Sequence, residues 1–327
     1  MGGCYRGVGF MRILVLCKKR KYIDENGNYR YRKQGYKGSW SIELWREELQ
    51  RQTDSFWWGW GYGEKYGYEW DVMMPLPEVI EKYYPNPDVI LVIGYEYYPN
   101  FNDIKNILKV NIAGDYNKGL KIAGCVKHYN LHKYDISFGY STVIRDHLKE
   151  TNVGKYQYIL PFGVNTSIYK KDENAIKDID VSAFYGKNIN VYPLRQKIQK
   201  MILKMDIVSW TQKAFFYNGI NVINRSKISI DCNTKYKFVN PRTAAILACG
   251  TFLLSDWRDD LEKFGFVDGQ HLVSFDSLED LKDKIYYYLE HEDEREEIAL
   301  NGMNFVRENY NDTVVTKNFL DTIEKHL

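Results

Sequence analysis

Short, continuous apolar runs alternate along this chain with segments whose apolar residues recur every three or four positions. RILVLC, Arg12–Cys17, is a run of the kind found in a central parallel strand. Ser41–Gln52 then sets Ile42, Trp45 and Leu49 at helical spacing behind a serine cap. Pro87 introduces DVILVIG (Asp88–Gly94), a second buried strand; KVNIAGD (Lys109–Asp115) reads as a third and YDISFGYS (Tyr134–Ser141) as a fourth, leading into a helix over Thr142–Thr151. KYQYILPFG, Lys155–Gly163, closes this half. The charged stretch Lys170–Asp180 lacks a clear period, and the alternation restarts at Val181. Strands alternating with helices imply right-handed crossovers and doubly wound sheets, here two of them.

The most informative stretch is Asn224–Asp256, NRSKISIDCNTKYKFVNPRTAAILACGTFLLSD. It predicts a buried strand (Ile228–Cys232), a loop, a short capped helix and a second buried strand (Phe252–Leu254). Asn240 is a good N-cap, and Pro241 fits the first helical position, where its missing N–H costs nothing. Gly250 supplies the left-handed residue that ends the helix. Ala244, Ala245, Ala248 and Cys249 make the helix slim enough to pack closely on a sheet. Its start then faces the carboxyl end of a parallel sheet, with Arg242 and Thr243 in the first turn. Free N–H groups, the helix dipole and a guanidinium would converge there on an anion such as a diphosphate. The alternative is an ordinary surface arginine at a helix start.

Arg242, the ACG of Ala248–Gly250 and the strand TFLLSD resemble the group 1 glycosyltransferases, nearest to the CgeB-like, spore-maturation type. Asp268–Tyr310, with its ER-x-x-I-A-x-x-G helix, is similar to that family's closing segment. ILPFGVNTSIYKK (Ile159–Lys171) resembles its interdomain crossover, and Asp180–Ile198 resembles the first strand–loop–helix of its sugar-nucleotide domain. The resemblance implies a GT-B architecture: α/β, two Rossmann-like doubly wound domains facing across a cleft. It sets an N-terminal extension at 1–10, an acceptor domain at 11–168, a linker at 169–180, a nucleotide-sugar domain at 181–311 and, at 312–327, a C-terminal helix crossing back to the first domain. One departure stands out. Many relatives carry a ribose-holding glutamate in the ACG helix, four residues before the cysteine, and many retaining members pair it with a second one before the helix; this chain has Ala245 and Lys237 there.

The implied activity is transfer of a sugar from a nucleotide-diphosphate donor to a hydroxyl acceptor, with no cofactor beyond that co-substrate and no metal. The D-x-D of Asp178 and Asp180 precedes a strand, the wrong end of a parallel sheet for a ligand. Donor-side candidates are Asn240, Arg242 and Thr243, with Gly186, Lys187 and Arg195 around the loop after the first strand of the second half and Tyr236 above the helix. Arg195 and Lys187 are equally readable as solvated basic side chains. Asp115, at the carboxyl end of VNIAG, is the candidate general base; an Asx turn opening DYNKG is the other reading. His128 and His132 are alternatives to it. Lys18, Ser39, Trp60 and His128 fall on the acceptor side.

Composition adds bounds. The 327 residues suffice for two domains of ordinary size, and 44% hydrophobic with 27% charged residues is the balance of a globular protein. No apolar run approaches a membrane span and no signal peptide is visible, which points to the cytoplasm. The five cysteines show no metal or disulfide spacing. The net charge of +2 neither favours nor disfavours a polyanionic partner.

Two N-terminal segments remain. Lys18–Lys37 sets eight basic residues against two acidic ones, with tyrosines interleaved. It reads as a solvated hairpin turning at Asn26-Gly27 or as a grip on a polyanionic acceptor such as DNA or an acidic glycan. Phe56–Trp70, FWWGWGYGEKYGYEW, reads as an aromatic acceptor wall or as a packed loop over the sheet. For the transferase that the resemblance implies, a glycan, a protein and modified DNA stay open as acceptors. The competing classes are a non-catalytic binding relative and a nucleotide-sugar epimerase, which would need carboxylates and a histidine beyond His271.

Overall fold

The computed structural model describes residues 10–17, 21–23, 29–31, 42–59, 74–94, 97–113, 132–184, 193–212, 216–232 and 239–327. They divide into two compact units. One takes in Arg46–Leu160 with the strands before it and Thr316–Leu327; the other takes in Pro161–Val315 together with 42–45, the start of the first helix.

In the first unit, β1 (Arg12–Cys17) is followed by a small antiparallel hairpin of β2 (Lys21–Ile23) and β3 (Tyr29–Tyr31). After helix α1 (Ile42–Gln52) come β4 (Asp54–Trp58), α2 (Leu76–Tyr83), β5 (Val89–Ile93), β6 (Leu108–Ile112), β7 (Ile136–Gly139), α3 (Thr142–Glu150) and β8 (Tyr156–Ile159). The six strands form one parallel sheet in the order β4-β1-β5-β6-β7-β8. Ser141 caps α3 by accepting from the Ile144 N–H, the role a serine takes just before a helical run. One sheet face (Leu14, Leu16, Ile90, Val92) is covered by Leu76 and Val79 of α2 and by Ile144 and Leu148 of α3. On the other face Phe138 packs against Phe319.

The aromatic segment differs from its expected form at its start. Phe56, Trp57 and Trp58 are not loop but the end of β4, a parallel edge strand, and both tryptophans are buried. Three large rings in succession satisfy a strand that is covered on both faces, so the run reads as core there. Residues 60–73 lie outside the described ones.

The second unit runs β9 (Ile179–Ala183), α4 (Pro193–Ile202), β10 (Ser209–Trp210), α5 (Phe216–Arg225), β11 (Ser226–Asp231), α6 (Pro241–Ala248), β12 (Phe252–Asp256), α7 (Asp259–Lys263), β13 (Val273–Phe275), α8 (Leu278–Glu290) and α9 (Glu292–Asn309). Its five strands are all parallel, in the order β10-β9-β11-β12-β13. Each sheet thus places its second strand outside its first and its third on the other side. That reversal, between β1 and β5 and again between β9 and β11, is the crevice where open α/β sheets bind ligands. The last helix, α10 (Asp312–Glu324), begins in the second unit, and from Thr316 onward it belongs to the first.

Two details explain motif residues. Gly302, the glycine of ER-x-x-I-A-x-x-G, sits in α9 where a Cβ would collide with the carbonyl oxygen of His271, so only glycine allows this approach. Gly250 ends α6 with φ +66°, as its place after the helix predicts. Asp178 and Asp180 stand at the amino end of β9. Asp178 is forked onto Arg225 at 2.8 and 2.6 Å, and Asp180 bonds Lys227 at 2.8 Å and the Val208 N–H at 2.9 Å. They serve as ion-pair and strand-start contacts.

Candidate functional site

The apolar strand β11 ends on a carboxylate, Asp231, whose side chain is fully buried. Its Oδ1 accepts from Nε and Nη2 of Arg242 at 2.9 and 2.6 Å. Its Oδ2 accepts from the Asn240 amide at 2.7 Å, the Thr243 hydroxyl at 2.8 Å and Nη2 of Arg258 at 3.3 Å. Asn240 works in two directions. Its amide nitrogen donates to Asp231 while its Oδ1 caps α6 by accepting the Arg242 N–H at 2.9 Å. The sequence Asn-Pro-Arg-Thr therefore wraps the helix start around one buried carboxylate.

Three strand-to-helix units, on the neighbouring strands β9, β11 and β12, each send one arginine to the end of β11. Arg195, from α4 after β9, donates Nε and Nη2 to the Cys232 carbonyl at 3.0 and 2.9 Å. Arg242, from α6 after β11, reaches Asp231 and also directs Nη1 to the Phe184 carbonyl at 3.3 Å. Arg258, just after β12, is fully buried between Asp231 and Asp256, bonding Asp256 Oδ1 at 2.9 Å. The three guanidiniums and two carboxylates of this cluster sum to one positive charge. Burial pushes the Asp231 carboxyl up, but the charges of Arg242, Arg258 and Arg195 and the hydrogen bonds from Arg242 outweigh it and hold the group far below the usual carboxylate range. Burial likewise works against the charge of Arg258, and Asp231 and Asp256 reverse that. The cluster lies at the carboxyl edge of the sheet, at the switch point between β9 and β11, where a surplus positive charge beside a helix start suits an anion.

The structure brings together four of the expected donor-side residues: Asn240, Arg242, Thr243 and Arg195. Asn240 caps the helix as expected, while the two arginines are held differently from the open or solvated positions read from the sequence. Arg242 does not stand open; its side chain is 19% exposed and ion-paired. Arg195 is buried on a backbone carbonyl, so the solvated alternative does not hold for it. The helix start is not a fan of free N–H groups either, because the Arg242 N–H is capped and the Thr243 N–H bonds the Asn240 carbonyl at 3.1 Å. Among the described residues the helix start offers an anion its dipole and the guanidinium charge.

Sequence reasoning missed Asp231, Asp256 and Arg258. The signal was present: both strands, ISID and FLLSD, are apolar runs ending on aspartate, and charge at the carboxyl end of a parallel strand is a site marker. Asp115, Gly186, Lys187, Tyr236, Lys18, Ser39, Trp60 and His128 lie outside the described residues, as does Lys237. His132 is buried, its Nε2 accepting the Tyr98 N–H at 3.3 Å and its ring 4.4 Å from that of Phe101, a packing role. His271 stacks on Phe305 at 4.2 Å and accepts the Val267 N–H, and burial lowers its pKa. Ala245 is fully buried in the α6 core contact. Burial also pushes the Cys232 and Cys249 thiols up to about 12, which keeps them protonated and unreactive.

Residues 204–321 match the family model described as glycosyl transferase-like, a stretch that carries α6, the whole Asp231 cluster except Arg195, and the closing helices. No curated protein matches the sequence. Among solved structures, HepE from Anabaena in complex with UDP aligns with a TM-score of 0.64 at 12% identity, over 96% of this chain and 100% of that one. A glycosyltransferase from Rickettsia africae aligns with a TM-score of 0.64 at 12% identity, over 96% and 97%. Sucrose-phosphate synthase from Thermosynechococcus elongatus aligns with a TM-score of 0.56 at 10% identity, over 76% of each chain. This is the GT-B fold. The stretch similar to the glycosyl transferase-like model, residues 204–321, holds the ACG helix and the closing segment on which the sequence resemblance rests.

Proposed function

We infer that this GT-B chain transfers a sugar from a nucleotide-diphosphate donor to a hydroxyl acceptor, without a metal. The observation that carries the reading is the arginine cluster at the carboxyl end of β11, on the switch point of the glycosyl transferase-like domain. As the sugar C1–O bond breaks, its electron pair leaves with the nucleoside diphosphate, and fixed positive charge beside that oxygen lowers the barrier. Arg242 supplies the charge, with Asn240 and Thr243 holding the helix start; Gly186, Lys187 and Tyr236 complete the donor side. The acceptor oxygen forms the new bond to C1, and its proton passes to Asp115 as general base. Lys18, Ser39, Trp60 and His128 serve the acceptor side, and the chain works in the cytoplasm as a CgeB-like member of the group. HepE was solved with UDP and with UDP-glucose, which puts uridine nucleotides first among donors to try.

A second reading keeps donor binding without turnover. The buried Ala245, where relatives carry a ribose-holding glutamate, favours it. Both readings meet one experiment: calorimetry and thermal shift against UDP, GDP, ADP and their sugars, followed by assay of nucleoside diphosphate release from the donor that binds. Binding with release supports transfer, binding without release supports the second reading, and no binding by any nucleotide removes both.

A further inference from the structure

We propose that Asp231 is the positioning residue of the donor site, acting through Arg242; this rests on the donor-site reading above. A guanidinium offers two forked edges to an anion. In Arg242 the Nε–Nη2 edge is committed to a single oxygen of Asp231, at 2.9 and 2.6 Å. That turns Nη1 toward the end of β9, where it meets the Phe184 carbonyl at 3.3 Å. The guanidinium is thereby held between the end of β11 and the end of β9.

The carboxylate itself has little freedom. Its other oxygen is held by Asn240, Thr243 and Arg258, and the Thr243 hydroxyl that donates to it also accepts from Nη1 of Arg258 at 3.3 Å. Asp231 is also the last residue of β11, in register with Ser255 of β12, so its backbone is fixed by the sheet. The chain of control is sheet to carboxylate to guanidinium to diphosphate. A long side chain otherwise loses rotamer freedom on binding, and holding it beforehand removes that cost.

This reading and simple charge neutralisation predict opposite signs. If Asp231 only competes with the ligand for Arg242, neutralising it tightens anion binding. If it positions Arg242, neutralising it weakens binding although a negative charge has been removed from the site.

The test uses the full chain and inorganic pyrophosphate, a diphosphate without a base, titrated by calorimetry beside UDP. D231N is expected to lose about tenfold or more in affinity for both, R242A a similar factor, and the D231N/R242A pair no more than R242A alone, because Asp231 acts only through that arginine. Unchanged or tighter binding by D231N, or losses that multiply in the double variant, overturns the proposal. If D231N does not fold, D231E decides: it keeps the charge and displaces the carboxylate by one methylene, so wild-type affinity in D231E overturns the proposal, and a tenfold loss that adds nothing to R242A in the double variant upholds it. Failure of the wild-type chain to bind pyrophosphate or any nucleotide is a different result and removes the donor-site reading itself.

Discussion

Arg242, partly exposed, and Asp231, fully buried, form an ion pair in which two guanidinium nitrogens meet one carboxylate oxygen, at 2.9 and 2.6 Å. The pair joins the first turn of α6 to the last residue of β11. It links the stability of the second unit to the charge proposed to hold the donor, and the two consequences are separable by measurement.

Arg242→Ala removes the pair and leaves Asp231 with Arg258, Asn240 and Thr243. Breaking a buried ion pair costs about 3–5 kcal/mol when the partner is stranded, and the remaining donors to Asp231 place this variant at or below the lower end. Diphosphate binding falls by about 1.5–3 kcal/mol, the scale of a charge-assisted hydrogen bond. Urea unfolding and calorimetry read the two effects. An unfolding midpoint equal to wild type would return Arg242 to the open position expected from its helix start.

Acid sensitivity follows from the same carboxylate. Its folded pKa lies below its unfolded value of about 3.9, so its stabilising contribution is fully present above pH ~4 and is lost as pH falls toward the folded pKa. The urea midpoint of the wild-type chain should therefore drop faster below pH ~4 than that of Asp231→Asn. Parallel profiles for the two proteins would contradict this.

Gly302→Ala places a methyl group against the His271 carbonyl, a backbone atom that cannot swing aside. Overpacking of this kind costs about 1–3 kcal/mol. A thermal melt should show the loss, and an unchanged midpoint would mean that α9 shifts without cost.

Donor turnover should survive EDTA, because guanidinium charge is proposed to take the place of a metal. A strict requirement for manganese or magnesium, restored on re-addition, would reopen the question of a metal-binding carboxylate in this chain.

Replacing Lys18, Lys19, Arg20 and Lys21 by glutamine tests the N-terminal basic segment, whose backbone forms the β2–β3 hairpin where it is described. A solvated hairpin predicts no change in stability or acceptor use. A polyanion grip predicts weaker DNA binding and a log–log salt slope flatter by about one unit for each phosphate that is no longer neutralised. The hairpin reading is the expected outcome, and donor binding should be unchanged in both.

Much of the fold was legible locally. RILVLC is β1 from end to end, and the Asn240-Pro241 start and the Gly250 stop of α6 stand where their capping chemistry puts them. These features depend on residues adjacent in the chain, so apolar period, caps and turn residues suffice to reveal them. The strand β4 is not legible in this way, because DSFWW ends in three successive large rings that carry no alternation, and its pairing with β1 makes it a strand.

The site divides in the same way. The sequence by itself determined that a capped helix with an arginine in its first turn follows a buried strand, because strand, cap and helix are written in contiguous residues. Tertiary structure alone decided that Arg195, Arg242 and Arg258, each on a different strand-to-helix unit, meet at one carboxylate-bearing strand end. Their convergence depends on the order in which parallel strands pair, β9 beside β11 beside β12, and on how deeply the following helix starts are buried. Burial turned Arg242 from an open ligand into a paired one: out of water, Asp231 must be neutralised by its neighbours, and the nearest cations were the arginines that the crossovers delivered.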